Sequence, residues 1–217
     1  MKYLFYDTET TGLIPKGVKE LTDILAKYPH IIQLSYILYC DETHSIIENH
    51  DHIIYLTDDI ELSEKSVEIH GISREISQTK GIQLSEALTT FQKVYEQCDV
   101  LIAHNMEFDL QMIKVSSLRC ENYNLLNMMD SKTKYCTMRN SINICNIEAK
   151  NKYGKYKKYP TQTELHVKLF ECVPENLHNS FNDILVCIRC YFKITQNIDL
   201  KEKNETLKKL FIELLNV

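Results

Sequence analysis

Residues 2–13 read KYLFYDTETTGL, an apolar and aromatic lead-in that runs into two acids and stops in a Thr-Thr-Gly turn. The lead-in has the composition of a strand, and alternate residues of a strand face one side. Asp7 and Glu9 therefore aim two carboxylates at one point. Adjacent anions repel, and partial burial costs several kcal/mol more unless a cation compensates. A hard divalent ion, Mg²⁺ or Mn²⁺, prefers carboxylate and water oxygens and would relieve them. The plainer alternative is a strand end that carries two solvated acids.

At 217 residues, 44% hydrophobic and 25% charged, the chain is long enough for one large domain with a full core. No apolar run approaches the ~20 residues needed to cross a bilayer, so no membrane association is expected. Acids at positions 7 and 9 fall where a secretory signal would stay apolar. The eight irregularly spaced cysteines then read as reduced thiols of an intracellular compartment, cytoplasmic or nuclear. Cys187 and Cys190 form a CxxC, but the helical apolar pattern around them places both in a core rather than on zinc. The net charge of −5 hides an asymmetry: residues 1–110 sum to −11 and residues 111–217 to +6. An acidic half suits metal and a basic half suits phosphate.

Along the chain, a short helix is expected around residues 19–26, and IIQLSYILY at 31–39 reads as a central strand. Residues 44–49 and 52–56 look like its antiparallel continuations, with His50-Asp51-His52 as a solvated turn between them. Residues 63–70 and 84–97 have helical spacing, the second with Ser85 near its start. DVLIAH at 99–104 is a short buried strand, after which Asn105 offers an N-cap to a helix carrying Phe108, Met112 and Val115 on one side. Strands alternating with helices mark an α/β domain, whose sites form at strand carboxyl ends, and Asp109 lies in the turn after such an end.

Residues 118–147 read as broken helix. KNKYGKYKKY at 150–159 packs five lysines and three tyrosines into either a solvated loop or a strap for phosphates and bases. Thr161 and Glu164 fit a capping box, and so do Ser180 and Asp183, which gives Asp183 a purely helical alternative role. His178 precedes that helix on a loop. Residues 197–217 carry Leu207, Leu210, Phe211, Leu214 and Leu215 as an amphipathic C-terminal helix packed on the domain.

Three separated segments thus bring acids to element ends: DTETTGL, AHNMEFDLQMI and HNSFND, the last with His178 five residues before Asp183. In order and spacing they resemble the three motifs of the DEDDh, or DnaQ-like, 3′–5′ exonucleases. VEIHGIS at 67–73 and YPTQTELHVKLFE at 159–171 are similar to further family segments, so the resemblance covers roughly residues 2–195, within a domain drawn at 1–196.

The resemblance implies an α/β, RNase H-like fold, a mixed central sheet with antiparallel strands first, then parallel ones, flanked by helices. It implies that Asp7, Glu9, Asp109 and Asp183 hold two Mg²⁺ or Mn²⁺ ions, Asp109 directly or through water. His178 would be the general base, taking a proton from the attacking water. Residues 8–11, among them Thr8 and Thr11, would hold the terminal nucleotide; Leu13 would wedge against the last bases, and Asn105 and Phe108 would line the same pocket. His70, in the HGI segment, is expected to be structural or close to substrate. Lys155, Lys157 and Lys158 are expected to contact phosphates. The implied substrate is a nucleic acid with a single-stranded or frayed 3′ end, DNA or RNA, and the partner a polymerase or a second copy of the chain. The alternative from another class is a non-catalytic nucleic-acid-binding or polymerase-accessory module.

Overall fold

The structure, a computed structural model, describes residues 1–18 and 21–217. Its centre is a five-stranded sheet. The opening stretch forms β1 (Lys2–Thr10), which pairs antiparallel with β2 (Ile31–Cys40), and β2 pairs antiparallel with β3 (Ser45–Ile53). On the other side of β1 lie β4 (Val100–Ala103) and β5 (Thr133–Cys136), both parallel, in the order β3-β2-β1-β4-β5. The sheet is therefore mixed, antiparallel first and parallel after, as the resemblance implies.

The helices are α1 (Leu21–Lys27), α2 (Glu64–His70), α3 (Arg74–Lys80), α4 (Leu84–Gln97), α5 (Met106–Arg119) and α6 (Tyr123–Met128). They continue with the single turns α7 (Thr137–Asn140) and α8 (Ile142–Cys145), then α9 (Gln162–Phe170), α10 (Ser180–Gln196) and α11 (Glu205–Leu215). Between α8 and α9 stands a separate hairpin of β6 (Glu148–Asn151) and β7 (Gly154–Lys157).

Strand parity divides the core. Leu4 and Tyr6 of β1 enter one cluster with Leu88 and Phe91 of α4 and Met112 and Ile113 of α5. Tyr3 and Phe5 point the other way, to Ile184, Leu185 and Phe192 of α10 and to Leu207, Phe211 and Leu215 of α11. There Tyr3, Phe5, Tyr191 and Phe192 meet largely edge-to-face, with Tyr3–Tyr191 at 5.3 Å and Phe5–Tyr191 at 5.4 Å between centroids. Burying each ring contributes roughly 1.5–3 kcal/mol, and each edge-on contact about 0.5–1.5 kcal/mol more. This packing fixes α10 across the β1 face that ends in Asp7 and Glu9. Cys187 and Cys190 are buried in the same cluster.

Several local expectations change. His50-Asp51-His52 lies inside the single strand β3, not in a turn, because both imidazoles pack on the Tyr36 ring of β2, His50 stacking at 4.7 Å. Beyond Ile53 the chain makes only an isolated bridge from Ile54 to Ile82. The expected first helix forms as α1, while Lys19 and Glu20 lie outside the described residues. Gln83, not Ser85, holds the cap position of α4 and makes no side-chain bond. The helix α3 and the edge strand β5 were not anticipated. The basic stretch at 150–159 is largely hairpin rather than loop. The capping box of Thr161 and Glu164 is present in both directions.

Candidate active site

Pairing with β2 sets Asp7 opposite Ser35 and Glu9 opposite Gln33, on the sheet face covered by α10. Asn179 caps α10 by accepting from the Phe181 and Asn182 N–H groups, and Asp183 follows one turn in. Asp183 is consequently free of any capping-box duty with Ser180. Asp7, Glu9 and Asp183 each present an oxygen, and the three atoms lie within 4.8 Å of one another.

Thr8 faces the opposite side, and Asp109 arrives there from α5. The Thr8 hydroxyl donates to Asp109 Oδ1 at 2.8 Å and the Thr8 amide donates to the same oxygen at 3.1 Å. Asp109 is 3% exposed. It lies outside the three converging oxygens, yet its charge is the largest of those that act on Asp7.

Burial raises the pKa of all four carboxyls, and the charges acting on Asp7 and Glu9 are those of the other acids. Asp7 is held well above the usual range and Glu9 is pushed up to about 8. Asp109 and Asp183 rise to about 7, burial outweighing the bonds from Thr8 and from the His178 amide respectively. Partly buried carboxylates that repel one another and offer only oxygen are a donor set for a hard divalent cation. The residues fit such an ion.

His178 is exposed and sits at φ 66, and its N–H donates to Asp183 Oδ2 at 3.2 Å. The start of α10 is clamped to the sheet by residues that the sequence reading passed over. Ser180 N–H donates to Gln33 Oε1 at 3.1 Å, and the Ser180 and Ser35 hydroxyls bond to each other. Gln33 Nε2 and the Ser35 hydroxyl both donate to Asp51 Oδ1 at 2.7 Å. The available signal was Gln33 and Ser35 themselves, two polar residues at i, i+2 in an apolar strand. Replacing Gln33 with Leu strands the Ser180 amide and loosens the helix start. If the cluster is catalytic, the expected outcome is a turnover reduced about 10- to 100-fold with little change in KM. Unchanged turnover would remove Gln33 from any positioning role.

Thr8 and Thr11 both engage their hydroxyls inside the fold, Thr8 on Asp109 and Thr11 by accepting from His30 N–H at 3.0 Å. The Thr8 hydroxyl has given its hydrogen to Asp109, whereas Thr11 only accepts and keeps its own O–H to donate. Leu13 is 85% exposed and, with Thr11 and His30, lines a cleft of about 550 Å³. Asn105 is exposed at φ 63 and occupies the N-cap position of α5 without a side-chain cap bond. Phe108 is half-buried against the first core cluster. His104, between strand and Asn105, bridges Thr137 Oγ1 at 3.0 Å and the Pro160 carbonyl at 3.3 Å, and burial pushes it down to about 4. His70 is buried, with Nδ1 accepting from Ile72 N–H and Nε2 without a close hydrogen-bond partner among the described residues. Lys155 pairs with Glu148 at 3.0 Å, Lys158 with Glu164 at 2.6 Å, and Lys157 donates to Asn143 at 3.2 Å.

The RNase_T family model, described as Exonuclease, matches residues 4–191. No curated protein sequence matches the chain. Among solved structures, E. coli exonuclease I in complex with a dA16 oligonucleotide has a TM-score of 0.66 at 16% identity, over 97% of this chain and 43% of that chain. Its complex with a dT13 oligonucleotide gives 0.64 at 16% identity, over 97% and 43%. The zinc-bound form of the E. coli enzyme with single-stranded DNA gives 0.62 at 17% identity, over 96% and 42%. These likenesses carry the fold, and the chain spans less than half the length of those structures.

Proposed function

The chain belongs to the exonuclease family, in its DEDDh, RNase H-like branch, and on that premise we propose that it hydrolyses phosphodiester bonds at 3′ ends and releases nucleoside 5′-monophosphates. The observation that carries the reading is the trio Asp7, Glu9 and Asp183, three converging carboxylates whose nearby charges are other acids. Divalent ions held there, Mg²⁺ or Mn²⁺, would supply the positive charge that stabilises the pentavalent transition state and the leaving 3′-oxygen.

The chain's own groups do the rest. Asp7, Glu9 and Asp183 would hold the cations, and Asp109, oriented by Thr8, would join them directly or through water. His178, tethered to Asp183 through its backbone, takes the proton of the attacking water. Leu13, exposed on the cleft, presses against the terminal bases, and Asn105 and Phe108, at the start of the helix that carries Asp109, contact the terminal nucleotide. The E. coli exonuclease I structures hold dA16 and dT13 oligonucleotides and, in the zinc-bound form, single-stranded DNA. That favours a single-stranded or frayed end as substrate here.

The reading is tested with 5′-labelled single strands of DNA and RNA of one sequence, in Mg²⁺, Mn²⁺ or EDTA. A metal-dependent ladder shortening from the 3′ end supports it, and the faster substrate defines the sugar preference. Folded protein that binds both strands and cleaves neither overturns it.

Metal and proton compete for the same oxygens, which gives a second expectation. Unfolded carboxyls titrate near 4, whereas the folded ones stay protonated up to about 7–8. Between those limits the folded state holds more protons, so metal-free stability falls as pH rises from about 4 to about 8. Bound metal expels those protons. Mn²⁺ should therefore raise the melting temperature more at pH 8 than at pH 5.5. An equal shift at both pH values would argue against these acids as ligands.

A further inference from the structure

The β6–β7 hairpin carries almost no packing. Its pairs are Glu148 with Lys157, Ala149 with Tyr156, Lys150 with Lys155, and Asn151 with Gly154. Alternation puts Lys150, Lys155, Lys157 and Glu148 on one face and Ala149 and Tyr156 on the other. Only Ala149 is less than exposed. Two-stranded hairpins are marginal in water, and this one spends its sequence on charge and rings rather than on burial.

Its charges are placed against its own stability. Lys150 and Lys155 stand directly opposite, where like charges repel. Glu148 answers Lys155, and among the described residues no carboxylate is ion-paired with Lys150 or Lys152. An anion seated between Lys150 and Lys155 would turn the repulsion into attraction. At the tip Lys152 lies 4.9 Å over the Tyr153 ring, which is 84% exposed and offers its other face. Lys157 and Lys158, tied to Asn143 and Glu164, fix the root instead.

The segment that follows the root is bonded to the elements that carry Asp109 and Asp183. Pro160, just past the hairpin, accepts from His104 beside Asn105 and the helix that bears Asp109. Gln162 donates to the backbone carbonyl of Asp183. From there four residues per strand reach about 14 Å outward. A row of cations and a bare aromatic ring, repeating without sequence-reading groups, match the repeating phosphates and bases of a single strand.

We infer that the β6–β7 hairpin is the binding arm for the single-stranded polynucleotide behind the 3′ terminus. A backbone phosphate sits between Lys150 and Lys155, and a base stacks on Tyr153. The inference rests on the exonuclease reading of the neighbouring acids for its substrate.

The test is the triple variant Lys150→Ala, Lys152→Ala, Tyr153→Ala, whose three sites are exposed and outside the acid cluster. It is compared with the unaltered protein on a dinucleotide and on a strand of about twenty nucleotides. On the long strand KM should rise about tenfold or more and the log–log salt slope of binding should flatten by about 1–1.5. On the dinucleotide kcat/KM should stay within about twofold, since the arm lies beyond its reach. An unchanged long-strand KM, or an equal loss on both substrates, overturns the arm. If the unaltered protein cleaves neither, the hydrolytic reading has failed and the arm is judged by anisotropy of the labelled strand in EDTA. There the variant must bind about tenfold more weakly, and equal binding rejects it.

Discussion

Asp7→Asn is expected to abolish cleavage and at the same time to make the metal-free protein harder to unfold at pH 8. The first effect follows from removing the carboxylate that shares its point of aim with Glu9 and Asp183. Losing a ligand to the transition-state charge costs several kcal/mol, each 1.4 kcal/mol being tenfold, so a rate loss of roughly 10³-fold or more is expected. The second effect has the opposite sign because this carboxyl is held protonated by burial and by Asp109, Asp183 and Glu9. Above about pH 4 the unfolded chain ionises Asp7 freely while the folded chain resists, and the difference grows as pH rises toward the folded pKa. Asparagine keeps the shape and removes that difference. Thermal melts in EDTA should show the variant a few °C more stable at pH 8 and level with the parent near pH 4. With Mn²⁺ added the gain should shrink, since the parent alone recovers a full ligand set. A variant that cleaves at near-normal rate would remove the acid cluster from the chemistry.

How much of this site could be read from the chain depends on which contacts are local. That Asp7 and Glu9 share a face follows from the two-residue period of β1 alone, and so does the turn of Thr8 toward the other side. That the shared face is the one beneath α10 does not follow. It depends on Tyr3 and Phe5 meeting Tyr191 and Phe192, residues nearly the whole chain apart. That Asp109 falls outside the converging trio depends on where α5 docks against Thr8, which no local pattern shows. β5 escaped because four residues, TKYC, at a sheet edge carry no alternation to read. β3 was broken in two by its polar HDH triplet, since stacking on Tyr36 makes histidine behave as a strand residue there. The Gln33–Ser35–Asp51 clamp was signalled only by polar residues at alternate positions of an apolar strand, and its target, Ser180, is 147 and 145 positions away. The hairpin was legible as composition but not as structure, because its Asn151-Lys152-Tyr153-Gly154 turn relies on an Asn151 side-chain bond to the Tyr153 amide and on Gly154 at φ 130.

His178→Gly is expected to lower the cleavage rate by about 10²–10⁴-fold, and added imidazole should recover part of it. Glycine is the informative replacement at this position. The backbone of His178 stands at φ 66, a conformation that alanine adopts only at a cost and glycine adopts freely. The N–H that donates to Asp183 Oδ2 belongs to the backbone and survives the substitution. The variant thus removes the imidazole and leaves the acid cluster's last tether in place, so its melting temperature and its response to Mn²⁺ should match the parent's. A loss of rate with both of those unchanged then belongs to the ring. Free imidazole can enter the gap because the position is exposed rather than packed. Recovery that saturates with imidazole concentration would identify proton transfer as the missing step. A full loss with no recovery would instead make the side chain a contact for the substrate, and a rate that never fell would leave the water to be activated by the acids and their cation without it.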